Sequence, residues 1–190
     1  MAFLTSRSQK LVASFFLLVC LAGASTYSLQ AQPAPPEYKI KAAFIYYFVQ
    51  YVEWPTNTFA DEKSPFIIGI LGSNPFGSAL EETVAGEMVG KRKLVVRMCR
   101  NLSEAQQCHL LFISNSEASN LQSVLDGLKG HSVLTVSDME QFARRGGMIR
   151  LLPKDNKIRF LINVEVVSEA KLTISAKLLQ LAEVVGTEKQ

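Results

Sequence analysis

The feature that most constrains this chain is a series of short, apolar, β-branched runs separated by segments of helical period. "FIIGIL" (66–71) is bounded by Pro65 and Gly72; "KRKLVVRMC", "CHLLFIS" and "HSVLTVS" follow at intervals too short for a second domain. The segments between them, among them "NPFGSALEETV", with Asn74 as a helix cap and Pro75 in the first turn, and "SEASNLQSVLDGL", carry helix-start residues and helical spacing. Short, buried-looking strands alternating with helices predict an α/β fold, a mostly parallel sheet with helices on both faces. "GGMIRLL" and "KIRFLIN", joined by "PKDN", predict an antiparallel edge hairpin. "DMEQFARRG" reads as a further helix opened by Ser137 or Asp138. The stretch from Val164 to Val185 reads as one terminal helix, with Val167, Ile174, Leu178, Leu181 and Val185 in phase.

The N-terminal segment sets the compartment. Arg7 and Lys10 precede the uncharged run "LVASFFLLVCLAGA" (11–24), and small residues follow. This is the layout of a secretory signal peptide, and the run is shorter than the roughly 20 residues that span a bilayer. Cleavage fits after Ala24 or, preferably, after Ala31, where "QPAPPE" begins an extended start. The division is therefore 1–31 signal peptide, 32–37 Pro-rich start, 38–186 a single α/β domain and 187–190 a tail. The product is expected in the periplasm without stable membrane insertion. The signal segment holds two of the 20 basic residues and none of the 17 acidic ones, which leaves 18 against 17. A nearly neutral exported domain has no footprint for nucleic acid.

"YKIKAAFIYYFVQYVEWP" (38–55) reads as a helix ended by Trp54-Pro55. Ile40, Phe44, Tyr47, Phe48, Tyr51 and Val52 fall on one broad face, and Lys39, Tyr46, Gln50 and Glu53 on a polar stripe. The inner side is expected to pack on the sheet. Part of the aromatic surface, drawn from Tyr46, Tyr47, Tyr51 and Trp54, is expected to serve association with a partner or a second copy.

Chemistry is sparse. "GILGSNPFG" lies between a strand and a helix without the spacing of a nucleotide loop. Gly72, Asn74, Phe76, Ser114 and Asn115 nevertheless mark strand ends where a small-ligand crevice would form. His109 abuts a buried strand and reads as structural; His131 reads as surface. The arginines of "ARRGG" (143–147) read as a solvated helix end, with anion recognition as the alternative. Arg159 alternates with Phe160 and Ile162, so it points off one sheet face toward a structural ion pair or an anion. Cys99 and Cys108 are the pair left after export, and an even pair in an oxidising compartment is expected to form a disulfide; free thiols and a metal site are the alternatives. No catalytic constellation, metal site or cofactor motif is evident, so the chain reads as a non-enzyme.

Taken in order, "KAAFIYYFVQYVEWP", "FIIGILGSNPFGSAL", "CHLLFIS", "VLTVSDMEQFARRGGMIRL" and "KIRFLINVEVVSEAKLTISAKLLQLA" resemble the YfiR family of exported bacterial proteins. The resemblance implies a periplasmic repressor that binds the periplasmic domain of an inner-membrane diguanylate cyclase, lowers cyclic-di-GMP signalling and so restrains biofilm formation. It also implies a homodimer, and a stability that depends on the redox state of the disulfide. A periplasmic small-ligand receptor is the alternative function. One departure stands out: Ala170-Lys171-Leu172 replaces the family's usual Ala-Gly-Leu before the last helix, where a left-handed residue would be costly for lysine.

Overall fold

The structure, a computed structural model, describes residues 35–186. The signal peptide, its cleavage sites and the tail at 187–190 lie outside the described residues, as do residues 32–34 of the Pro-rich start.

An eight-stranded sheet has the order β10-β8-β7-β6-β5-β2-β4-β3. Its strands are β2 (Phe66–Leu71), β3 (Met88–Val89), β4 (Arg92–Cys99), β5 (Leu110–Ile113), β6 (Leu134–Ser137), β7 (Ile149–Lys154), β8 (Lys157–Asn163) and β10 (Glu183–Val185). β4, β2, β5, β6 and β7 are mutually parallel, as the alternation of runs predicted. β7 and β8 form the expected antiparallel hairpin. Asp155 and Asn156 at its tip both take φ near +55°, the two-residue turn that matches strand twist. β10 adds in parallel beyond β8, and a separate two-stranded pair joins β1 (Val52–Glu53) to β9 (Thr173–Ile174).

Strand residues alternate between two cores. On one face Ile68, Ile70, Phe112, Val136, Ile149 and Phe160 pack under α1 (Pro36–Tyr51), together with α2 (Ala79–Val84), α5 (Val164–Glu169) and α6 (Ala176–Leu179). On the other, Leu71, Cys99, Leu111 and Ile113 pack under α3 (Leu102–Ala105) and α4 (Leu121–Leu128). We call these the aromatic and thiol faces.

Several local readings are corrected. The buried stripe of α1 is Lys41, Ala42, Ile45, Phe48 and Val49, while Ile40 and Tyr47 stand in solvent, so the helix is rotated from the face first assigned. Asn74 does not cap a helix. Its Oδ1 accepts from the Phe76 amide and its Nδ2 donates to the Gly77 carbonyl, closing a turn before α2 begins at Ala79. Met139–Gly146 is a series of turns, not a helix. Ser137 Oγ captures the Met139 amide, and Gln141 takes φ 58°, which no helix tolerates.

The terminal helix is likewise broken. Lys171 adopts φ 60°; its amide donates to the Ser168 carbonyl and that of Leu172 to the Val167 carbonyl. This double bond pattern stops α5 and turns the chain into β9. Lysine thus holds a left-handed position, at the site where the resemblance implied a glycine.

Candidate functional site

Three groups of side chains bear on function: the outer surface of α1, the buried polar cluster beneath its first turn, and the thiol pair on the far face.

The four aromatics expected to form an association surface are not equivalent. Tyr47 is 51% exposed and Ile40, two turns earlier on the same side, is 49% exposed. Tyr46 lies against Tyr47 with ring centroids 6.0 Å apart, but its hydroxyl donates to Glu87 at 2.8 Å, which raises its pKa above the usual phenol value. Gln50 donates to the carbonyl of Met88, whose own side chain is exposed. The result is an apolar strip of Ile40, Tyr47 and Met88 with polar fastenings beside it. Tyr51 is half-buried at the other end of the helix, where Lys177 lies 3.3 Å from its hydroxyl.

Trp54 stands apart from this strip. Its indole Nε1 donates to the His109 carbonyl at 3.0 Å and its ring meets Phe66 edge-on. There His109 is structural, as expected. Nδ1 accepts from the Ile67 amide, Phe59 stacks on the imidazole at 4.5 Å, and the Arg92 guanidinium caps Phe59 at 3.8 Å. Burial, reinforced by Arg92, pushes the His109 pKa down to about 4, so the ring is neutral at ordinary pH.

Lys41 went unrecognised in the sequence. Its side chain is only 2% exposed and its Nζ lies 2.6 Å from Asp138 and 2.5 Å from Glu37. Tyr38 also donates to Asp138, at 2.7 Å; burial and then that bond push its phenol well above the usual range. The cluster ties the start of α1 to the end of β6. A buried ammonium needs such partners, because removing it from water without them is prohibitive.

The strand-end residues lie at the reversal of sheet order between β2 and β5, where open α/β sheets bind ligands. There the Asn115–Glu117 turn closes over Gly72. Ser73 N donates to Ser116 Oγ at 2.9 Å, and a Cβ on Gly72 would collide with that hydroxyl. Ser114 is buried, Asn115 is exposed, and Phe76 is fully buried between Tyr38 and Phe112. A cavity of about 730 Å³ lies instead at the opposite edge of the sheet, floored by Leu125, Leu128 and Met148, with Arg144 and Arg145 at its rim. Arg159 is exposed on β8 opposite Leu152 and reaches no carboxylate among the described residues.

On the thiol face the sulfurs of Cys99 and Cys108 are 3.5 Å apart, in contact and unbonded, and both are buried. The hydrogen bond between them favours the thiolate of Cys99. With burial, it drives the Cys108 pKa strongly upward, so the pair resists a second charge. Gly69 on β2 makes the space. A Cβ there would stand 2.5 Å from one sulfur and 3.0 Å from the other. Nothing in the strand pattern marked that glycine as a spacer.

The fold and these clusters define an α/β domain whose distinctive features are a partly exposed aromatic helix and a paired thiol. The chain belongs to the YfiR/HmsC-like family, whose profile matches residues 38–183. No curated protein matches the sequence. Among solved structures it resembles the ABC domain from Streptococcus pneumonia solved in complex with L-Trp. Identity there is 14% and the TM-score 0.47, over 63% of this chain and 55% of that one. It also resembles a conserved domain protein from Vibrio cholerae at 13% identity and TM-score 0.46, over 63% and 54%. The chain thus spans about half the length of each. Among the described residues, no helix is long and apolar enough to cross a membrane.

Proposed function

We propose that this protein is a non-catalytic periplasmic regulator that binds the periplasmic domain of an inner-membrane diguanylate cyclase and represses it, lowering cyclic-di-GMP signalling and biofilm formation. The family match across residues 38–183 carries the reading. The strip of Ile40, Tyr47 and Met88 supports it, because exposed apolar side chains flanked by anchored polar ones are what a contact surface requires. Association with a second copy of the chain draws on the same helix. Oxidation of Cys99 and Cys108 to a disulfide sets how much folded repressor is available. The test is reconstitution: membranes containing a diguanylate cyclase with a periplasmic domain, from the same organism, are assayed for cyclic-di-GMP synthesis as the purified protein is added. Falling synthesis with saturable capture of the cyclase supports the proposal; unchanged synthesis and no capture refute it.

A second reading, a small-ligand receptor, draws on the 730 Å³ cavity, whose size suits a small molecule. Its signature is a melting temperature that rises with ligand concentration.

A further inference from the structure

The β7–β8 hairpin has two unlike faces. β7 pairs with β6 only at Ile149 and Arg150, and β8 pairs with β10 only from Leu161 to Asn163. Residues 151–160 therefore form a two-stranded ribbon running beyond its neighbours. Leu151 and Phe160 face α1, where Phe160 meets Phe44 and Phe48 at 5.5 and 5.3 Å. The register turns Arg150, Lys154, Lys157 and Arg159 to the opposite face.

Four cations on one small surface are out of proportion to the domain, in which basic and acidic residues nearly balance. The carboxylates closest in sequence and register are Asp155, in the turn, and Glu183, on β10 opposite Leu161; neither forms an ion pair with the four cations. Lys154 and Lys157 are direct cross-strand partners, an arrangement that like charges disfavour. Arg150 and Arg159 lie diagonally across the ribbon, about 7–8 Å apart at that spacing, with half-buried Leu152 and buried Leu161 between them. The Nε of Arg150 is buried and has no hydrogen-bond partner among the described residues. Leaving that donor unsatisfied is costly, while Arg150 as a whole is only partly buried, so the outer N–H groups of its guanidinium can take a carboxylate from solvent.

We propose that this ribbon face is a docking surface for an acidic segment of a partner protein, with Arg150 and Arg159 gripping carboxylates and the two lysines drawing the segment in. A partner protein fits better than a membrane. Membrane-surface binding sets apolar or aromatic anchors among its cations, and none of the exposed large apolar side chains lies on the ribbon. The inference deepens the proposed function only in naming the partner's chemistry; the charge argument does not depend on a cyclase.

The test uses the isolated protein and a poly-glutamate peptide, followed by backbone amide shifts at low and moderate salt. The expected result is saturable shifts confined to residues 150–161, weakened about tenfold or more by Arg159→Glu and strongly by salt. Arg159→Lys, which keeps the charge but loses the fork, should weaken binding less than Arg159→Glu does. Melting temperatures show whether each variant is folded, and Lys154→Glu at the exposed tip gives an independent reversal. Three outcomes overturn the proposal: no shifts at saturating peptide, binding untouched by both charge reversals, or binding to anionic phosphatidylglycerol vesicles but not to the peptide. Because no cyclase is present, failure here leaves the reconstitution result standing.

Discussion

The two faces of the sheet bury comparable apolar strands in different ways. Under α1 the core is aromatic and its one buried charge, Lys41, is neutralised within the fold by Asp138 and Glu37. Under α3 and α4 the helices are short, the core is aliphatic apart from Phe142, and its distinctive contact is between two thiols that fit because Gly69 has no side chain. The first arrangement is complete as it stands. The second could be made tighter by an external two-electron oxidant that takes both thiol hydrogens, since the sulfurs, now 3.5 Å apart, would have to approach by only about 1.5 Å to bond. One face holds α1 in place, and the other keeps two thiols in contact.

The comparison breaks most readily at Lys41. Lys41→Ala leaves Asp138 largely buried without its cation, and should cost about 3 kcal/mol, the low end for a broken buried pair because Glu37 and Asp138 retain some solvent. Denaturant titration measures it; a loss below 1 kcal/mol would mean the pair is no better than a surface contact.

Oxidation is the corresponding test of the other face. Closing the Cys99–Cys108 loop should add about 2–3 kcal/mol, read as a higher melting temperature without reductant that is lost in Cys108→Ser. An unchanged melting temperature despite a confirmed disulfide would show that strain cancels the gain.

The pH dependence comes from the aromatic side. His109 ionises at about 4 when folded against 6.5 as the ordinary value, so the unfolded chain binds the proton first. Stability is fully present above pH 6.5 and falls as the pH drops toward 4. His109→Gln, which keeps an acceptor for the Ile67 amide, should flatten that part of the profile. The smallest effect is a gain. Lys171→Gly relieves a left-handed side chain and should stabilise by about 1 kcal/mol.

The sequence made the sheet legible because its strands are short, β-branched apolar runs bounded by glycine, proline and polar turns; parallel order and the hairpin both followed. What it hid was long-range or conformational. Lys41 looks like one more charge on an amphipathic helix, since its partner Asp138 is 97 residues away. Apolar residues from Val164 to Val185 keep helical phase, but Lys171 in the left-handed region resets the chain, and spacing alone carries no sign of φ. The segment after Ser137 has helical composition but lost its first amide to a serine hydroxyl. Of the four association aromatics, only Tyr47 proved largely exposed; the bond of Trp54 to His109 depends on a contact that no local pattern encodes.

If the protein works by contact through the outer side of α1, Tyr47→Ala should weaken binding while leaving the fold intact. With about half of its surface already in solvent, truncating Tyr47 should change stability by less than about 0.5 kcal/mol. Affinity for the cyclase's periplasmic domain, measured by calorimetry beside the parent protein, should fall at least about tenfold. Equal affinity at equal melting temperature would contradict the account.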